Sequence, residues 1–136
     1  MRWKPNKVLM VIFVILITVI SCSENPYPQG KELYNSYCAN CHMDSGEGLE
    51  DLMPPLKSSD YLKQFPNRVA CMIRYGNEGT VVVNGKEYSG LMPANPELTA
   101  TQITNIINYI NNAWGNSFGF TQPDSVLSWL EECEEE

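Results

Sequence analysis

The sequence predicts an all-α fold carrying one small β-hairpin near 81–88. Two observations lead there. Ile103, Ile106, Ile107 and Ile110 recur at i, i+3, i+4 and i+7, the spacing of one buried helix face. Val81-Val82-Val83 and Lys86-Glu87-Tyr88 flank Asn84-Gly85, a pair suited to the two positive-φ positions of a type I′ turn. The 136 residues point to one domain.

Residues 1–21 precede that domain. Arg2, Lys4 and Lys7 form a positive start, and Val8 to Ile20 is an apolar run of 13 residues. Such a run fits a signal peptide and is short for a membrane span. It ends at Val19-Ile20-Ser21-Cys22, which resembles the lipobox of bacterial lipoproteins. The resemblance implies a lipid on Cys22; the alternative is an uncleaved anchor with an incidental cysteine. Residues 22–29 contain Pro26 and Pro28 and read as a tether.

The domain is expected over 30–120. From Gly30, Leu33, Tyr34, Tyr37 and Cys38 follow helical spacing. Gly46 and Gly48 mark a loop, and Met53-Pro54-Pro55-Leu56 excludes helix interior because Pro lacks an N–H. Ser59 to Phe65 is a candidate short helix. Arg68 to Tyr75, with Val69, Met72 and Ile73 apolar, is another, stopped by Gly76. Ser89 to Pro96 is loop and contains Met92. Thr99-Ala-Thr-Gln102 is a capping-box pattern ahead of the isoleucine helix, which extends toward Trp114 and Gly115. Residues 121–136 form a last helix, capped from Thr121-Gln-Pro-Asp124, and an acidic tail. No internal repeat is present.

The formal net charge is −7, and more negative without Arg2, Lys4 and Lys7. An acidic surface argues against nucleic acid and favours a partner with a basic docking face. For the tail, where five of the last six residues are Glu, plain solubility is the simpler reading.

Five cysteines are present: 22, 38, 41, 71 and 133. Cys38-Ala39-Asn40-Cys41-His42 matches the C-x-x-C-H pattern of covalent haem attachment. Two thiols three positions apart reach the two vinyl groups on one porphyrin edge, and the next residue falls under the iron. His42 would then be an axial ligand. Zinc would want about four ligands, and His42 is the only histidine. A thioredoxin-like C-x-x-C expects a βαβ setting. A Cys38–Cys41 disulfide has no use for the histidine. With Cys22 assigned to lipid and Cys38 and Cys41 to haem, Cys71 and Cys133 remain. Paired, they would close a loop of about 60 residues, worth about 4 kcal/mol in the chain-entropy picture; unpaired thiols are the alternative.

Four methionines are candidates for the second axial position. Met43 is too near His42 to cross the ring, Met53 is 11 residues on beside two prolines, and Met72 reads as core on its helix. Met92, in a Pro/Gly loop 50 residues after His42, is the expected ligand. Haem propionates want donors, for which Arg68, Arg74, Tyr88 and Trp114 are candidates.

Positions 30 to 120 resemble class I cytochromes c. The resemblance rests on Gly30 and Tyr34, the Cys38/Cys41/His42 motif, Gly46 and Gly48, Pro54-x-Leu56, Met92-Pro93 and the helix at 103–114. It implies a cytochrome c fold, helices around one covalent haem c, with the Pro54 carbonyl accepting from His42 and Gly30 packing against the helix of Tyr109 and Ile110. Gly76, Gly79, Val83, Gly85, Lys86, Tyr88, Gly90 and Tyr109 to Asn116 are similar to cytochromes serving quinoprotein dehydrogenases, nitrite reductases and terminal oxidases. The implied function is non-enzymatic: electron transfer outside the cytoplasm (periplasm or cell surface) from a lipid-anchored protein, with redox proteins as partners and no small-molecule substrate. Alternatives are a relay subunit of a larger membrane redox complex and a five-coordinate haem sensor or peroxidase. The resemblance accounts for neither the acidic tail nor Cys71 and Cys133.

Overall fold

A computed structural model of the chain describes residues 25–134. The segment expected to be a signal peptide, Cys22 and the last two glutamates lie outside the described residues. Six helices and one hairpin follow in order: α1 (Pro28–Tyr37), α2 (Ala39–His42), α3 (Asp60–Gln64), α4 (Pro66–Tyr75), β1 (Val81–Val83), β2 (Lys86–Tyr88), α5 (Ala100–Asn112) and α6 (Pro123–Glu134). No helix among the described residues is long and apolar enough to cross a membrane.

Helix α5 is the centre of the fold. Thr99 caps it through the Gln102 backbone, and the Gln102 side chain returns to the Thr99 N–H, so both halves of the capping box form. Ile103, Ile106, Ile107 and Ile110 are each at most 3 % exposed. Burying each such side chain is worth about 1.5–3 kcal/mol. Helices α1, α4 and α6 all pack on this helix, and α4 also packs on α6.

At Gly30 the α1–α5 crossing is so close that a β-carbon would run into the Asn105 carbonyl oxygen and Tyr109 Cβ. Helix α1 begins at Pro28, inside the segment expected to be a tether. Pro suits a first helical turn, where its missing N–H has no intrahelical partner to lose. Ahead of it, Asn25 donates to the Tyr109 carbonyl at 3.3 Å and the Tyr27 ring stacks on Phe120.

Gly76 ends α4 at φ +80°, and the hairpin pairs Val81 with Tyr88 and Val83 with Lys86 across Asn84 (φ +51°) and Gly85 (φ +77°). Helix α6 buries Val126 and Leu130, and a disulfide joins its Cys133 to Cys71 on α4, with Cα atoms 5.9 Å apart. The segment between α5 and α6 is held by buried Asn108, which donates to the Thr121 carbonyl at 3.0 Å and accepts from its N–H at 2.7 Å.

Candidate haem site

Cys38 ends α1 and starts α2, so the chain bends at the first thiol. The single turn of α2 then carries Cys41 and His42. Met43 turns the chain away at φ +63°, and its carbonyl accepts from the Tyr34 hydroxyl at 2.6 Å. Tyr34 is fully buried against the rings of Tyr109 and Trp114. Trp114 donates its indole N–H to the Asp44 carbonyl at 2.8 Å. The cysteine-histidine turn is thereby tied to α5 from two sides.

His42 Nδ1 lies 3.0 Å from the Pro54 carbonyl oxygen. A carbonyl only accepts, so the ring proton sits on Nδ1 and the Nε2 lone pair is free to bind a metal. Gly48 makes this approach possible: at φ +70° it lies where a β-carbon would strike the Met53 and Pro54 backbone. Burial pushes the His42 pKa below its usual value, opposed by the bond to Pro54. Cys38 is pushed up to about 12, chiefly by burial and then by Cys41. It is therefore a thiol rather than a thiolate at neutral pH.

The cleft beside this turn, about 580 Å³ counted together with the solvent it opens to, is walled by Cys38, His42, Leu56, Ile106, Ile110 and further, mostly apolar, side chains. Met92 borders it, and a neighbouring recess brings Met92 together with Cys41, His42 and Met53. The structure thus collects Cys38, Cys41, His42, Pro54 and Met92 around two neighbouring apolar recesses, with His42, Pro54 and Met92 bordering both. Among the described residues no cluster of three or more His, Cys, Asp or Glu could hold a bare metal ion. The donor set fits haem: two thiols on one edge, a neutral imidazole with its far nitrogen free, a thioether, and walls without charge.

Met72, expected in the core, also borders both recesses, and its sulfur lies 3.7 Å from the Tyr61 hydroxyl. Of the four candidate propionate donors, only Tyr88 borders either space, the recess beside Cys41 and Met92. Arg68 borders a groove beside the disulfide, Arg74 reaches the Pro96 carbonyl, and the Trp114 N–H is spent on Asp44. Sequence reasoning passed over the role of Asn116. Buried at the end of α5, it accepts from the Ser58 N–H at 2.7 Å and donates to the carbonyls of Leu56 and Ile110. It anchors the loop that continues from Pro54.

A profile of the family "cytochrome c oxidase, cbb3-type, subunit III" matches residues 25–110. Two cytochromes c-552 of Thermus thermophilus are each 30% identical over 92 residues, which is 65% of this chain and 70% and 62% of theirs. The cytochrome c subunit of a quinone alcohol dehydrogenase from Gluconacetobacter polyoxogenes is 30% identical over 90 residues, 64% of this chain but only 19% of that subunit.

Proposed function

Because this chain belongs to the cytochrome c family, we propose that it is a one-electron carrier with a single haem c bound through Cys38 and Cys41, and with His42 and Met92 on the iron. The observation that carries this reading is the convergence of Met92 and His42 on one apolar cleft, with the His42 proton held by Pro54. Haem c supplies reversible gain and loss of one electron at its iron. The chain does the rest. Pro54 orients the imidazole and makes it a stronger donor. Met92 would supply a thioether, which favours the reduced state relative to a second imidazole. With His42 and Met92 both engaged, a substrate would find no open place at the metal, and the apolar walls would keep water off the cofactor.

We further propose that residues 1–21 are a signal peptide, that lipid on Cys22 holds the protein outside the cytoplasm, and that its partners are redox proteins approached at the Cys41 side of the cleft. A lipid anchor raises the local concentration at a membrane-bound partner. The relay-subunit reading draws on the relatives: the family profile and the alcohol dehydrogenase subunit both take their names from multi-subunit redox enzymes.

The test is a visible spectrum of the reduced, purified protein with a redox titration. The reading requires a haem c α-band, one electron per chain and a single Nernstian wave. No α-band, or a wave with two components, would sink it. Purification in mild detergent separates carrier from relay subunit, since a relay subunit brings its complex with it.

A further inference from the structure

The loop carrying Met92 is fastened almost wholly to the C-terminal end of α4. Met92 and Asn77 exchange two backbone hydrogen bonds of 2.9 Å each. The Asn95 N–H donates to the Ile73 and Arg74 carbonyls at 3.2 Å, and the Asn95 side chain donates to Ile73 at 3.1 Å. Arg74 Nη1 reaches the Pro96 carbonyl. The last carbonyls of a helix lack intrahelical partners. In α4, Asn95 alone supplies partners to the Ile73 and Arg74 carbonyls, so the loop acts as the helix cap. The fit is tight at Gly76, where a β-carbon would lie 2.6 Å from the Met92 oxygen and 2.9 Å from the Ala94 nitrogen.

Helix α4 is fastened in turn to α6. Cys71 is bonded to Cys133, and the Tyr75 hydroxyl donates to the Leu130 carbonyl at 3.4 Å. Helix α6 lies beyond residues 25–110, the region matched by the family profile. The fastening of the loop therefore has its far end in a segment outside that region.

We propose that α6 is a clamp on the axial thioether: through the Cys71–Cys133 bond it holds α4, and through Gly76, Asn77 and Asn95 α4 holds Met92 at the iron. These are positioning residues, and the inference rests on Met92 being the ligand. A loose α4 leaves the loop a second position with the sulfur away from the metal. The fraction of molecules in that state sets how readily an external ligand reaches the iron.

The full-length holoprotein tests this. Carbon monoxide binding to the ferrous form reads the thioether-free fraction. The far-red sulfur-to-iron charge-transfer band of the ferric form reads the bond, and the midpoint potential reads both oxidation states. Cys71→Ser/Cys133→Ser should bind carbon monoxide about tenfold faster than wild type, equivalent to about 1.4 kcal/mol. It should lose the far-red band at a lower temperature than the wild type does, with the α-band intact. Gly76→Ala should act more strongly in the same direction; should it fail to fold, Asn95→Ala takes its place. Wild-type rate, band and potential in Cys71→Ser/Cys133→Ser would overturn the clamp. A different result, the far-red band surviving in Met92→Ala, would overturn the ligand assignment itself.

Discussion

Burial and one carbonyl pull on His42 in opposite directions, and burial wins, so its pKa lies below the usual value. A histidine whose folded pKa is lowered costs no stability above its unfolded pKa of about 6.5. Stability is lost as pH falls from there through the folded value, because the unfolded chain takes up the proton first. In the chain without haem, where no iron holds Nε2, denaturant midpoints should be level at neutral pH and drop below about pH 6.5. A midpoint that rises there would contradict a buried neutral imidazole. With Met92 as the second axial ligand, as proposed, Met92→Ala should erase the far-red charge-transfer band and let carbon monoxide bind the ferrous protein. Cys38, Cys41 and His42 are legible in the sequence because their geometry is set within five residues. Asn116 and Met72 are not. Asn116 acts on partners about 60 positions away, and an apolar helix position reads the same whether it faces a core or a cofactor.

The elements follow the sequence where a local device sets them. The capping box at Thr99 and Gln102, the Asn84-Gly85 turn and the Gly76 stop all form where their residues predict. Thr99→Ala should cost about 1 kcal/mol in thermal or denaturant melts, the usual worth of an N-cap side chain. The start of α1 is the exception, since two prolines read as a tether when Pro28 in fact opens the helix. Nothing local distinguishes those uses; the contact of Asn25 with Tyr109, far along the chain, does. The α1–α5 crossing has almost no slack at Gly30. Gly30→Ala should destabilise the fold by about 1–3 kcal/mol, as overpacking does, visible as a lowered guanidinium midpoint. A stability equal to wild type would mean that the two helices can part at small cost.

The molecule as a whole is acidic, with net charge −7, and this governs encounters more than any single ion pair. Lys57 and Lys86 are each tied to a carboxylate, Glu47 and Asp51, so neither leaves a free positive spot. Oxidation by a small cationic complex should slow as salt rises and oxidation by ferricyanide should quicken, because added ions screen attraction and repulsion alike. The same slope for both reagents would remove charge steering from the account. The tertiary arrangement was legible only through its resemblance to a family, since Gly30 of α1 and Asn105 of α5 meet from 75 positions apart in the chain. That distance has a consequence for assembly. In the closed fold the Cys38 thiol is half-buried on the wall of the cleft and held protonated, and so chemically slow. A chain emerging N-terminus first presents Cys38 and Cys41 well before residues 100–112 exist to shut them in. The order of synthesis thus leaves an interval in which the prosthetic group can be joined to an open thread, and the last helices then close around it.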